Sequence, residues 1–139
     1  SERLDTAIAL NVVEHIEDDV GAVRSMADSL VPGGRVVILV PALQWIYGRM
    51  DEELGHFRRY NKELLGGVLE RAGLQVEALF WFNRAGVIPW WWRGKVLRKP
   101  ALDGGGIAMF NRLVPLFRME RFVPLPFGQS VIGIGRRAV

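Results

Sequence analysis

The chain has 139 residues, 50% of them hydrophobic, with 18 Lys plus Arg against 15 Asp plus Glu and no Cys. That length supports one domain with its own core, the apolar share is too high for a disordered tail, and the lack of cysteine excludes disulfides, thiolate nucleophiles and Cys-ligated metal centres. Charge is uneven along the chain, since residues 1–83 carry 8 basic and 13 acidic side chains whereas residues 84–139 carry 10 basic and 2 acidic.

Asp5 to Leu10 is a short apolar run ended by Asn11, the pattern of a strand buried on both faces of a parallel sheet. Glu17, Asp18 and Asp19 place negative charge where a helix begins, and Val20, Val23, Met26, Ala27 and Leu30 then form one apolar stripe. A helix is expected from about Asp18 to Leu30, stopped by Val31, Pro32, Gly33 and Gly34. Arg35 to Val40 is a second buried strand rich in β-branched residues.

The segment from Ala42 to Tyr60 has no clean period, and a loop of this length leaving a strand's carboxyl end is a functional candidate. Asn61 caps a second helix whose apolar face is Leu64, Leu65, Val68, Leu69 and Ala72, with Gly73 as its stop. Leu74 to Phe82 is a third strand. Strands alternating with helices across short glycine turns predict an α/β chain with a parallel sheet. Beyond Asn83, one helix is expected over Val87–Leu97 and another from Ile107 to Phe117, before a last strand from Ser130 to Gly135.

Three segments in this order, NVVEHIEDD after a buried strand, LVPGGRVVILVP one helix later, and GHFRRYNKELLGGVLERAGLQVEAL, resemble the second half of a class I S-adenosylmethionine-dependent methyltransferase of the type-11 kind. The resemblance covers residues 4–83, and PFGQSVIGIGRR is similar to the family's final strand. It implies an incomplete Rossmann-like sheet, strands 4 to 7 with flanking helices, in a single partial domain over residues 1–139. The family's glycine loop would precede Asp5, so the expectation is a C-terminal portion lacking that loop and inactive on its own. S-adenosylmethionine is the implied cofactor, with Asn11, Val12, Val13 and His15 beside it at a strand's carboxyl end.

The same resemblance makes Arg35–Val40 the family's fifth strand and puts the loop after it over the acceptor, with Asp51, Arg58, Arg59 and Tyr60 as binding residues. His56 is the candidate catalytic residue, either as a base for a hydroxyl acceptor or as an acceptor ligand. The competing reading makes His56, Arg58 and Arg59 a surface ion-pair network with Asp51, Glu52 and Glu53, and His15 a locally packed helix-start residue. No metal site is indicated, because the two histidines sit on separate elements without ligand spacing.

Residues 84–129 form a basic insertion carrying Trp90, Trp91 and Trp92, which resembles an acceptor or lid region; Trp90 is a candidate acceptor contact. Tryptophans beside Arg93, Lys95, Arg98 and Lys99 suit a membrane interface, which favours a small-molecule or lipid-linked acceptor. No nucleic-acid motif accompanies them. No apolar run reaches ~18 residues and the first residues lack the order of a signal peptide, so a cytoplasmic chain is expected, peripheral to a membrane at most. The rival reading is a non-catalytic membrane-surface or protein-binding module on a Rossmann-like scaffold. The isolated chain is expected to self-associate through the edge at Asp5–Leu10.

Overall fold

The computed structural model describes residues 3–84, Val87 and residues 126–139. The helices expected over Val87–Leu97 and from Ile107 to Phe117, the tryptophan-bearing basic stretch and Trp90 lie outside the described residues, Val87 itself excepted. No described helix is long and apolar enough to cross a membrane.

Four strands, β1 (Leu4–Leu10), β2 (Leu30–Pro41), β3 (Leu74–Phe82) and β4 (Ser130–Arg137), form one sheet in the order β1-β2-β4-β3. β1 and β2 are parallel, and β4 runs antiparallel to both β2 and β3. The sheet is thus mixed and not wholly parallel as the strand–helix alternation predicts, because β4, the strand similar to the family's final one, runs against its neighbours. Helices α1 (Asp19–Asp28) and α3 (Lys62–Arg71) cover one face, joined by a five-residue helix α2 (Arg49–Glu53) in the connection after β2.

The core lies under those helices, where Val23, Ala27, Leu65, Val68 and Leu69 meet Val36, Ile38, Val40 and Val131. From Gly34 to Val40, alternation along β2 sends its even-numbered residues inward, as a period of two requires. In β3 a bulge between Val76 and Ala78 changes the phase, so that Leu79 and Trp81 pack on the core while Phe80 and Phe82 are exposed. The burial of β1 on both faces is not observed. Among the described residues β1 is an edge strand, and Ile8 (62% exposed) and Leu10 face away from the helices, leaving Ala9 as its one buried side chain.

The local signals act largely as expected. Asp18 caps α1 by accepting from the Gly21 N–H at 2.9 Å, and Asn61 caps α3 by accepting from the Leu64 N–H at 2.7 Å. Three boundaries or faces differ. α1 ends at Asp28 and β2 starts at Leu30, because Leu30 already pairs with Leu4; the Pro-Gly-Gly segment then forms an irregularity inside the strand before pairing resumes at Thr6 and Arg35. Leu64 is exposed instead of joining the core stripe of α3. β4 extends to Arg137, whose Nη1 donates to the carbonyls of Ala27, Asp28 and Leu30 at 2.8–3.0 Å and satisfies the carboxyl end of α1.

The segment 42–60 returns to its own starting point. Ala42 and Tyr60 form a parallel bridge, with the Tyr60 N–H donating to Pro41 and the Leu43 N–H to Tyr60. Inside the loop the buried Asp51 carboxylate accepts from Arg59 Nε at 2.8 Å and from the Gly48 N–H at 3.1 Å, while Arg59 Nη1 donates to the Ala42 carbonyl. Buried charge is tolerated here because both partners are hydrogen-bonded on several sides.

Three substitutions probe this architecture. A Cβ at Gly133 would stand 2.8 Å from Leu65 Cδ2 and 3.1 Å from Leu69 Cδ1. Gly133→Ala is therefore expected to lower the urea-unfolding free energy by about 1–3 kcal/mol, through overpacking between β4 and α3. Asp51→Ala removes the carboxylate that accepts from the buried Arg59 Nε and is expected to cost about 3–5 kcal/mol in the same measurement. Glu53→Ala, which breaks the exposed pair with Arg49, should stay within about 0.5 kcal/mol of the parent.

Candidate functional site

The carboxyl ends of the parallel strands lie on one side of the sheet, and the candidate residues gather in the segments that follow them. β1 ends at Asn11, whose left-handed φ of 52° turns the chain sharply while its N–H still donates to the Leu39 carbonyl. Val12 stands 49% exposed at this corner, whereas Val13 and Glu14 are buried in a single 3-10 turn over Val13–His15. The loop after β2 comes back against that turn, where the Phe57 N–H donates to the Glu14 carbonyl at 2.8 Å.

This docking brings the two histidines together. Their rings meet edge to face, with centroids 4.7 Å apart and planes at 71°. His56 Nδ1 lies 2.8 Å from Asp51 Oδ1, and Tyr47 donates its hydroxyl to the His56 carbonyl. His15 Nδ1 lies 3.2 Å from the Gly55 carbonyl, which the left-handed φ of 74° at Gly55 turns toward it. A carboxylate and a carbonyl are both acceptors, so each Nδ1 is placed to donate, and in the neutral tautomer that this favours Nε2 carries the lone pair.

Beside the imidazoles lies Glu14, 1% exposed, whose two carboxylate oxygens have no hydrogen-bond partner among the described residues. Its oxygen Oε1 is 4.0 Å from His15 Nε2. Burial pushes the Glu14 carboxyl above the usual range, while a backbone hydrogen bond and the imidazoles of His56 and His15 oppose that shift.

A second cluster ties the loop to α1. Asp19 accepts from Arg58 Nη1 at 2.6 Å and from the Tyr60 hydroxyl at 2.9 Å. Burial, with the Asp19 carboxylate adding to it, holds the Tyr60 phenol far above its ordinary pKa, which keeps it a proton donor. Asp51, Arg59 and Tyr60 are thus all buried, with hydrogen bonds inside the chain, and the network anticipated at the surface lies largely in the interior. Glu53 belongs to neither cluster and pairs with Arg49.

A groove of about 750 Å³ opens beside these clusters. Leu43, Trp45, Leu64 and Trp81 supply its apolar wall, and Gln44, Arg58 and Asn61 its polar groups. Sequence reasoning named Arg58, Arg59 and Tyr60 among its lining but missed Trp45, Leu64 and Trp81. The exposure of Leu64, off the core stripe of its helix, is the feature that would have marked the wall. Glu14 was missed as well, although it is the residue between His15 and the buried Val13.

Comparison with known proteins places this arrangement. In solved structures the fold is that of the Haemonchus contortus phosphoethanolamine N-methyltransferase 2 bound to S-adenosyl-L-methionine (TM-score 0.58, 14% identity, 98% of this chain and 34% of that one). It is also that of an S-adenosylmethionine-dependent methyltransferase from Mesorhizobium loti (TM-score 0.57, 14% identity, 96% and 62%). A third match is a chain of the complex between the Haloferax volcanii Trm112 methyltransferase activator and the protein assigned there as a methyltransferase (TM-score 0.60, 14% identity, 99% and 55%). The chain spans about a third to two thirds of the length of these structures. No curated protein matches its sequence. A family model described as a methyltransferase domain matches residues 1–79, more than half of the chain, and the chain belongs to that methyltransferase domain family.

Proposed function

We propose that the protein carrying this chain transfers a methyl group from S-adenosylmethionine to a small-molecule or lipid-linked acceptor, with the turn after β1 at the cofactor and the groove after β2 at the acceptor. The observation that supports it most is that both features lie beyond the carboxyl ends of parallel strands, where α/β sheets bind ligands. The residues of the turn suit the cofactor. Asn11 is a short polar side chain at a left-handed corner, and Val12 offers an exposed apolar surface of the kind that a purine ring or a methionyl chain covers. S-adenosylmethionine, when bound, supplies an electrophilic methyl on a sulfonium; the chain's part is to hold the two reactants in line.

The groove has the volume of a small-molecule site, and its Trp45, Leu64 and Trp81 suit an acceptor with a substantial apolar portion. Arg58, held by Asp19, gives that acceptor one oriented cation. Asp51, Arg59 and Tyr60 act here by shaping the loop, since their polar atoms are engaged within the chain. A peripheral membrane location accords with such an acceptor and belongs to the same proposal.

Calorimetric titration of the intact protein with S-adenosylhomocysteine tests the cofactor assignment. Micromolar binding is expected, and Val12→Asp, which places a charge on the apolar surface, should weaken it by about tenfold or more, or about 1.4 kcal/mol. Undiminished binding by a folded Val12→Asp variant would take the turn out of the cofactor site. Light scattering tests the edge at β1. With Leu4, Ile8 and Leu10 exposed along it, the chain on its own should self-associate at about tens of micromolar, and a monodisperse monomer would contradict this.

A further inference from the structure

We propose that Glu14, His15 and His56 form a binding site for one divalent transition-metal ion. One ligand atom from each of the three residues falls within 4.8 Å of the others. These are the only two histidines of the chain, drawn from segments far apart in sequence, and the third member is a buried carboxylate without a hydrogen-bond partner among the described residues.

A carboxylate in that position is costly. Its two oxygens have given up water and find no hydrogen-bond partner beyond the residue's own backbone, and a buried charge of this kind is stabilised by a cation or by several hydrogen bonds. A metal ion supplies that cation. The imidazoles are arranged for the same task. Nδ1 of His56 faces Asp51 and Nδ1 of His15 faces the Gly55 carbonyl, so in the neutral tautomer Nε2 is the nitrogen that each ring has available for a metal ion. Metal-ligating histidines are held in this way, with the second ring nitrogen donating to a carboxylate or a carbonyl.

The spacing is slightly open. His15 Nε2 and Glu14 Oε1 are 4.0 Å apart, against about 3.4 Å for two ligands at ~2.1 Å from a tetrahedral ion. His15 can close the gap, because its side chain is 40% exposed, whereas that of His56 is 10% exposed and clamped. Two nitrogens and one oxygen form the donor set of zinc or another borderline divalent ion, and three protein ligands leave a position for water or a substrate oxygen. Calcium and magnesium, which require oxygen ligands, do not fit.

The alternative occupant of the gap is a proton shared between Glu14 and the histidines, and the two are separable. The intact protein, stripped with chelator, is titrated with zinc chloride by calorimetry and with cobalt chloride by visible absorption. One ion per chain is expected, with Kd of about 1 μM or below and a cobalt spectrum of low coordination number. Glu14→Gln and His56→Gln should each weaken zinc by at least about tenfold. Thermal melting supplies a readout independent of activity. Zinc should raise the Tm of the parent and not that of Glu14→Gln, while metal-free Glu14→Gln should melt no lower than the metal-free parent because it buries no charge. A folded parent that binds no zinc at about 100 μM, or a Glu14→Gln variant with the parent's zinc affinity, would overturn the site. Neither outcome depends on S-adenosylhomocysteine binding, so the site and the methyl-transfer reading can fail separately.

Discussion

A single carboxylate, that of Asp51, organises the face of the molecule where the strands end. It is buried, and a carboxylate survives in the interior only when donors surround it. Here the donors are the Arg59 guanidinium, the Gly48 amide and His56. Each comes from a different part of the loop between β2 and α3, so satisfying one charge folds the loop. The same contact sets which nitrogen of His56 carries the proton. Loop conformation and imidazole tautomer are therefore one decision.

The loop's second anchor lies outside it. Arg58 and Tyr60 both donate to Asp19 at the start of α1, and Arg58 Nη2 also reaches the Glu17 carbonyl. The chain after β2 is thereby tied to the chain after β1, and the segment carrying Glu14 and His15 cannot move without disturbing the segment carrying His56. A site made from two strand-end connections is as rigid as the contacts between them. In this molecule those contacts are charge-assisted, the class of hydrogen bond that holds geometry best, and the one from Tyr60 to Asp19 is buried.

Much of this was legible in the residues. The β-branched run Arg35–Val40, the apolar run before Asn11 and the caps Asp18 and Asn61 are local signals, each acting within a few positions, and they place every described strand and both longer helices. Local reasoning fails where distant segments decide. The five-residue α2 is too short to show a period and exists because Asp51 and Gly48 close it reciprocally. β1 reads as a doubly covered strand from its composition, yet its exposure depends on what lies beside it in the sheet. The meeting of His15 and His56 was illegible for the same reason, since no spacing in sequence records that the loop folds back onto the first turn. Nor does apolar character distinguish Leu64, which lines the groove, from Leu65, which is in the core.

The strand order carries a consequence for how the molecule is made. β4 is the last of the four strands along the chain but lies between β2 and β3 in the sheet. Until residue 137 has left the ribosome, β2 and β3 have no shared neighbour, and the carbonyls at the end of α1 wait for Arg137. Pairings across such separations in sequence form slowly, because loop-closure entropy must be met before any contact offsets it. During that interval the hydrogen-bonding edges of β2 and β3 are open to other chains, and β4 closes both of them at once, like a bolt.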